Sequence, residues 1–200
     1  MLRLLSSPAS PFVRKVRVLL LETEQTDIEV ADVTAHPLGG EASLNAAAPL
    51  GKIPALEHDG GPTLFDSRVI CRFLDHRAQA GLYPEGHIWE SLTLEALADG
   101  IMDAAVICVY EKRARPEEMW HQPWLDAQWA KVGRGLDALE RQWMSHLHGP
   151  LDIGQIGVGC ALSYLDFRHG DKPWREGRES LAAWHKRFAE RPSMVATAPE

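Results

Sequence analysis

Apolar and polar positions follow two different periods along this chain, and the dominant period changes partway through. Leu2 and Leu4 flank Arg3 in a short alternation that predicts a strand. From Pro11 the spacing lengthens. Phe12, Val16, Leu19 and Leu20 fall on one helical stripe, and Arg14, Lys15 and Arg17 take the remaining face. DIEVADV, residues 27–33, returns to alternation through Ile28 and Val30 and predicts a second strand. Residues 34–52, rich in Gly, Ala and Pro, carry neither period. IPALEH (53–58) and PTLF (62–65) read as two strands joined across Asp59, Gly60 and Gly61, because Asp-Gly between apolar runs is a hairpin signal. DSRVICRFLDH, residues 66–76, closes this half as a helix with Val69, Ile70, Phe73 and Leu74 on its stripe.

The second half is almost wholly helical. From Ile88 to about Arg113, Leu94, Leu97, Ala98, Ile101, Met102 and Ala105 keep a period of about 3.6. Trp129, Val132, Leu136, Leu139 and Trp143 mark a second helix. LDIGQIGVGCALSYLDFR (151–168) marks a third, opened by Asp152 and Gln155 in the spacing of a capping box. Gly157 and Gly159 on it leave room for close approach by another helix. A fourth carries Leu181, Trp184 and Phe188 and stops at Arg191 and Pro192. The order βαβ, then ββα, then helices predicts an α/β thioredoxin-like N-terminal domain over residues 1–76. A linker follows at 77–86, and an all-α helical bundle domain at 87–200.

Composition narrows the partners. A formal net charge of -7 over 200 residues offers no long-range attraction to nucleic acid or to an anionic membrane, so neither is expected. No apolar run approaches the length of a bilayer span, and MLRLLSS is too short for a signal peptide. Cys71, Cys108 and Cys160 are far apart and odd in number, which predicts free thiols in a reducing, cytoplasmic compartment. No C-x-x-C and no paired Cys/His spacing suggests a metal. His146 and His148, two apart, do not face each other on a helix and are expected in solvent.

The chemistry begins with SPASPFVRKVRVLL, residues 7–20. Ser10 before Pro11 suits an N-cap, since the hydroxyl satisfies an orphan amide and proline loses nothing at the first helical position. The same geometry aims free N–H groups and the positive end of the helix dipole at whatever lies beside Ser10, which suits an anion. Asp66 and Ser67 likewise stand where a helix starts.

Ser10 before its helix, GKIPAL at 51–56 and FDSRVI at 65–70, followed by a helical half and the closing FAERPSMVATAP, resemble the cytosolic glutathione S-transferases. SPFVRKVR is similar to bacterial members and to the tau and omega classes. The resemblance covers essentially the whole chain. It implies glutathione as co-substrate, conjugation to a small, hydrophobic electrophile in a detoxifying role, and a homodimer. It implies a cis Pro54 that turns Ile53 outward to pair with the extended peptide, a small strand addition, with Lys52 and Phe12 beside it. Asp66 and Ser67 are implied to hold the γ-glutamyl end, the acid on the ammonium and the serine on the carboxylate. Ser10 is implied to hold the thiolate, with Ser7 as the rival hydroxyl. Lowering a thiol from its usual pKa of about 8.5 by about two units takes roughly 2.7 kcal/mol. A charged hydrogen bond supplies about 1.5–3 and a helix dipole about 0.3–1 kcal/mol, so the magnitudes match.

Departures from the family pattern are informative. No tyrosine stands near residue 6 and no cysteine at 10, which argues against thiol transfer and dehydroascorbate reduction. The family's Ser/Thr-x-x-Asp box is replaced by Gln155 and Val158, with Asp152 and Gln155 in its place. Glu95, Asp99 and Asp103 share one helix face, where like charges repel by a few tenths of a kcal/mol per pair. The resemblance implies that this face meets Arg68 and Arg72 of a second copy. It also places Met102, Tyr110, Met119 and Trp120 around the electrophile, with Trp124 nearby. A member that keeps the fold as a binding or interaction protein without catalysis is the alternative.

Overall fold

The computed structural model describes residues 1–199. The N-terminal half runs β1 (Leu2–Ser6), α1 (Pro11–Glu22), β2 (Ile28–Asp32), α2 (Ala42–Ala47), β3 (Ala55–His58) and α3 (Ser67–Ala78). β1 is central. It pairs in parallel with β2, from Leu2 with Ile28 to Ser6 with Asp32, and antiparallel with β3, from Leu2 with His58 to Leu5 with Ala55. The second strand expected of the hairpin reduces to one bridge, Leu56 with Leu64, whose amides and carbonyls exchange two 2.9 Å bonds. Pro62 has no N–H with which to extend that ladder. Its carbonyl instead meets His58 Nε2 at 3.0 Å.

α1 departs from the expected half-exposed helix. Val13, Val16, Val18, Leu19 and Leu20 are buried, and so are Arg14 and Lys15. The sheet covers one side, while α3 and the C-terminal helices cover the others.

The C-terminal half is α4 (Ile88–Ala114), α5 (Gln122–Ala138), α6 (Met144–Leu147), α7 (Ile153–Arg168), α8 (Glu179–Phe188) and α9 (Pro192–Ala196). Between α5 and α6 a π-helical turn, Leu139–Trp143, continues the predicted second helix. There the Glu140 carboxylate accepts the amides of Ser180 (3.2 Å) and Leu181 (2.7 Å), capping α8. α4 and α7 form the centre of the bundle. Gly154 and Gly157 let them close: a Cβ at these positions would lie 2.9 Å from Leu94 and 3.1 Å from Ala98. Gly159 does the same for Phe188 on α8.

α7 starts at Asp152, whose Oδ1 accepts the Gln155 amide at 3.0 Å. The Gln155 side chain does not reach back to Asp152. It donates to the carbonyls of His146, Gly149 and Pro150. Asp152 Oδ2 takes Ser91 Oγ at 2.5 Å and His146 Nε2 at 2.6 Å. His146 is therefore not a solvated residue: it helps fix the buried cap, whereas His148 is exposed.

One apolar core runs through both halves. It joins Val16 and Leu19 of α1 to Leu74 of α3, Leu94 of α4 and Ile156 of α7. Each such side chain contributes about 1.5–3 kcal/mol on burial. α1 is tied to α9 as well. Arg14 donates to the Met194 carbonyl at 2.8 Å and to Thr197 at 3.3 Å, and Glu22 pairs with Arg191 at 2.6 Å and accepts from Ser193.

Candidate active site

A cleft of about 530 Å³ opens where the loops at the edge of the sheet face α4 and the end of α7. Ser7, Ser10 and Phe12 enter from the β1–α1 turn, Lys52, Ile53 and Pro54 from the loop before β3, and Asp66, Ser67 and Arg68 from the start of α3. These segments are far apart in sequence. The sheet brings them together because β1 ends where its antiparallel neighbour β3 begins.

Ser10 is the N-cap of α1: its Oγ accepts the Val13 amide at 3.3 Å, in extended backbone at φ -84° and ψ 123°. The cap uses the oxygen only as an acceptor, so the hydroxyl proton is free to be donated. Pro11 has no N–H and the Arg14 amide is taken by the Ser10 carbonyl at 3.0 Å. That leaves the Phe12 amide as the unpaired donor of the first turn. A hydroxyl proton and an amide without acceptors among the described residues thus stand at the start of α1 beside the cleft, an arrangement that suits an anion. Ser7 lines the cleft too, but its carbonyl serves the Ser10 amide at 3.0 Å as part of the turn.

The Ile53–Pro54 bond is cis. Ile53 lies just outside the paired part of β3, and its amide and carbonyl join no backbone hydrogen bond among the described residues. It is a free strand edge of one residue, suited to an extended peptide. Asp66 caps α3 by accepting the Arg68 amide at 3.0 Å, and its carboxylate also holds the Arg68 side chain at 2.8 Å. That hydrogen bond keeps the Asp66 carboxyl below its ordinary range. Ser67 is buried at the first helical position.

Across the cleft, two of the three acids that share one face of α4, Glu95, Asp99 and Asp103, answer to their own chain. Lys15 Nζ lies 3.0 Å from Glu95 Oε1 and 2.7 Å from Asp99 Oδ1, and the Tyr83 hydroxyl donates to Glu95 at 3.3 Å. Burial pushes both carboxyls up, helped by Asp99 at Glu95 and by Asp66 at Asp99, although the ammonium opposes this. Burial opposes the charge on Lys15, and Asp99 foremost overcomes it, so the lysine stays charged. The expectation that Glu95 and Asp99 meet a second copy is thereby corrected: Glu95 is sealed in the core, and Asp99 reaches the cleft only with its edge. Asp103 is exposed at the cleft. Arg68 bonds Asp66 and lies 3.7 Å from Asp99, while Arg72 is exposed and stacks over the Tyr83 ring at 4.6 Å.

Of the residues expected around an electrophile, Tyr110 lines the cleft and three do not. Met102 is fully buried between helices. Met119 projects into solvent beyond the end of α4, as does Trp124 in part. Trp120 folds back, its indole donating to the Arg115 carbonyl at 3.0 Å. The wall is built instead by Val106, Ile107 and Val109 of α4 and Tyr164 of α7. A signal for it existed: Asp99, Asp103, Val106 and Tyr110 recur every three or four residues, and Met102 lies one position off that stripe. No group of three His, Cys, Asp or Glu side chains among the described residues is placed to hold a metal, and no helix there is long and apolar enough to cross a membrane.

A thioredoxin-like half that presents a one-residue strand edge and the open first turn of α1 to a helical half defines the class of fold. Comparison makes the class specific. The model of the glutathione S-transferase N-terminal domain matches residues 4–81, and that of the C-terminal domain residues 122–187. The Escherichia coli (strain K12) protein described as uncharacterized GST-like protein YibF is 34% identical over 99% of this chain and 98% of its own. A crystal structure of a glutathione transferase family member from Pseudomonas fluorescens Pf-5 with bound glutathione is 46% identical. It covers all of both chains with a TM-score of 0.97. A glutathione S-transferase from Methylobacillus flagellatus KT with GSH bound is 37% identical over all of both chains, with a TM-score of 0.89. The chain belongs to the glutathione S-transferase family.

Proposed function

We propose that the protein is a serine-type glutathione transferase of the Ser-Pro-Phe kind, which ionises glutathione and joins its sulfur to a small electrophile. The observation that carries this reading is the state of Ser10. Its oxygen is committed to the cap while its proton is free, beside the unpaired Phe12 amide and in the same cleft as the Ile53 edge. Glutathione would lie with its backbone on Ile53, its γ-glutamyl end at Ser67 and Asp66, and Lys52 beside it.

In the reaction the thiol gives its proton to solvent and the thiolate is held by Ser10 and the Phe12 amide. A sulfur–carbon bond then forms. Either a leaving group departs with the bonding pair, or, on an activated double bond, the adjacent carbon takes a proton from water. Val106, Ile107, Val109 and Tyr110 supply the apolar wall for the second substrate. The free thiols Cys71, Cys108 and Cys160, all buried, suit a reducing compartment such as the cytoplasm. We read the protein as a homodimer built on α3 and α4, where Val69, Arg72 and Asp103 are exposed.

Calorimetric titration with glutathione, followed by thiolate absorbance of the complex against pH, tests the reading. A bound thiol that ionises below the free thiol supports a transferase. Binding with an unshifted thiol favours a glutathione-binding protein without catalysis.

A further inference from the structure

The end of the cleft away from Asp66 carries two cations. Arg113 stands in the last turn of α4 and Arg168 is the final residue of α7, and both line the cavity that holds Ser10. Among the described residues neither guanidinium has a carboxylate within 4.0 Å. Arg168 is half-buried and stacks on Phe167 at 3.9 Å. Its pKa is held below the ordinary value first by burial and then by the charge of Arg113. The acids of the cleft are Asp66, Asp99 and Asp103. Asp103 precedes Arg113 by ten residues of one helix, or about 15 Å along its axis. At their end the carboxylates have Arg68, paired with Asp66, and Lys52 for company, whereas the far end carries two guanidinium groups and, among the described residues, no carboxylate.

A basic residue in the last turn of a helix is favourable on its own, because it meets the negative end of the dipole. That explains one cation on α4 and one on α7. It does not explain why both face a single cavity. The neighbouring Tyr164 phenol is pushed up to about 12, chiefly by burial, so at neutral pH it stays protonated and can donate. Two unpaired cations and a neutral donor at the end of an apolar wall form a receptor for an anion.

We propose that the second substrate carries a carboxylate remote from its electrophilic carbon, bound by Arg113 and Arg168 with Tyr164 donating to it. The proposal rests on the reading of the cleft as a glutathione-conjugating site and adds the chemical class of the electrophile. An aromatic or alkenyl acid fits: its apolar body lies on Val106 and Tyr110, and its carboxylate reaches the helix ends.

The test uses two conjugates that differ only in charge, S-(4-carboxy-2,6-dinitrophenyl)glutathione and its carboxamide analogue, titrated by calorimetry beside free glutathione. Charged hydrogen bonds of the usual strength predict that the carboxylate conjugate binds about tenfold more tightly or better than the carboxamide. In the double variant Arg113→Gln, Arg168→Gln that ratio should fall to about one, while free glutathione binds within about twofold of the parent protein. If the double variant fails to fold, Arg113→Gln alone, at an exposed position, should reduce the ratio by at least about threefold. Equal affinity of the parent protein for the two conjugates, with glutathione binding intact, overturns the proposal and leaves the transferase reading standing. A matching loss of affinity for free glutathione in the variants also overturns it, because the arginines would then hold the peptide's own carboxylate. Absence of any glutathione binding defeats the underlying reading, and the proposal with it.

Discussion

Lys15 on α1 places its ammonium 2.7 Å from Asp99 on α4, closing an ion pair between the two halves of the chain in which the lysine has no solvent exposure. Glu95 joins it at 3.0 Å, so two carboxylates share one cation. An unpaired buried charge costs far more than a good pair contributes. Lys15→Met should therefore destabilise the protein by about 3–5 kcal/mol, read from urea unfolding, because Glu95 and Asp99 lose their counter-ion. Adding Glu95→Gln and Asp99→Asn to Lys15→Met should restore part of that loss. No recovery would mean that the packing of the lysine stem, not its charge, is what matters.

Ser10→Ala separates cap from catalyst. Loss of the cap should cost about 0.5–2 kcal/mol of stability. Loss of the donated proton should move the ionisation of bound glutathione toward that of the free thiol, so that conjugation falls at neutral pH and partly recovers in alkali. Affinity for glutathione at low pH should stay within a few-fold, since Ile53, Asp66 and Ser67 are untouched. A variant that is less stable but has an unmoved pH profile would assign the hydroxyl role to Ser7 or leave it to the Phe12 amide.

His185 gives the fold an acid-sensitive element. It is buried against Trp174, bonds Ser163 Oγ at 3.0 Å, and is pushed down to about 4 by burial, against the opposing charge of Asp166 and with help from Arg175 and Arg14. A histidine with a depressed folded-state pKa stabilises fully above its unfolded value, about 6.5, and that stability is lost as pH falls toward 4. Urea midpoints should thus decline between pH 6.5 and 4.5 in the native protein. The decline should be shallower in His185→Gln, and the difference between the two curves reports His185 alone.

Gly159 on α7 has no room for a methyl group. A Cβ there would lie 2.5 Å from the Phe188 ring. Gly159→Ala should lower stability by about 1–3 kcal/mol despite the better helix propensity of alanine, measured as a fall in Tm. Phe188→Leu in the same background should return part of it. A neutral or stabilising Gly159→Ala would show that α8 shifts freely on α7.

The oligomer is tested by mass. A homodimer through α3 and α4 should scatter light as twice 22.3 kDa, and Val69→Glu, which places a charge on an exposed apolar position of α3, should shift it toward the monomer. A monomer at working concentration in the native protein removes the dimer reading and leaves the cleft unaffected.

Much of the site was legible because it is written in short-range signals. Ser10-Pro11 and Asp66-Ser67 each put a cap residue at a helix start, where local chemistry sets the backbone, whereas the cis Ile53-Pro54 bond is implied by the family resemblance. The sheet then brings them together. What the sequence hid depends on distance. Lys15 and Glu95 are 80 positions apart, and on a helix each reads as a solvent-facing charge until the other is placed against it. The resemblance implies Met102 at the cleft, but one residue turns a helix by about 100°, and that step takes it from the cleft wall into the core. Met119 and Trp120 follow the end of α4, and the direction of that turn is set by the Trp120 indole bonding the Arg115 carbonyl, a contact no periodicity encodes.

α1 has Ser10 at its N-cap, the buried lysine at its middle and Glu22 at its last residue; Lys15 is fastened to α4, while Arg14 and Glu22 are fastened to α9 and its flanking residues. A body held at three points along a rod cannot pivot about any one of them. The two halves are thus locked in one orientation as far as α1 is concerned, and the cleft cannot gape by domain rotation without dragging Ser10 from its place. Adjustment to substrates of different size then falls to the exposed rim at residues 36–39 rather than to the frame, so that the position of Ser10 is insulated from whatever the cleft admits.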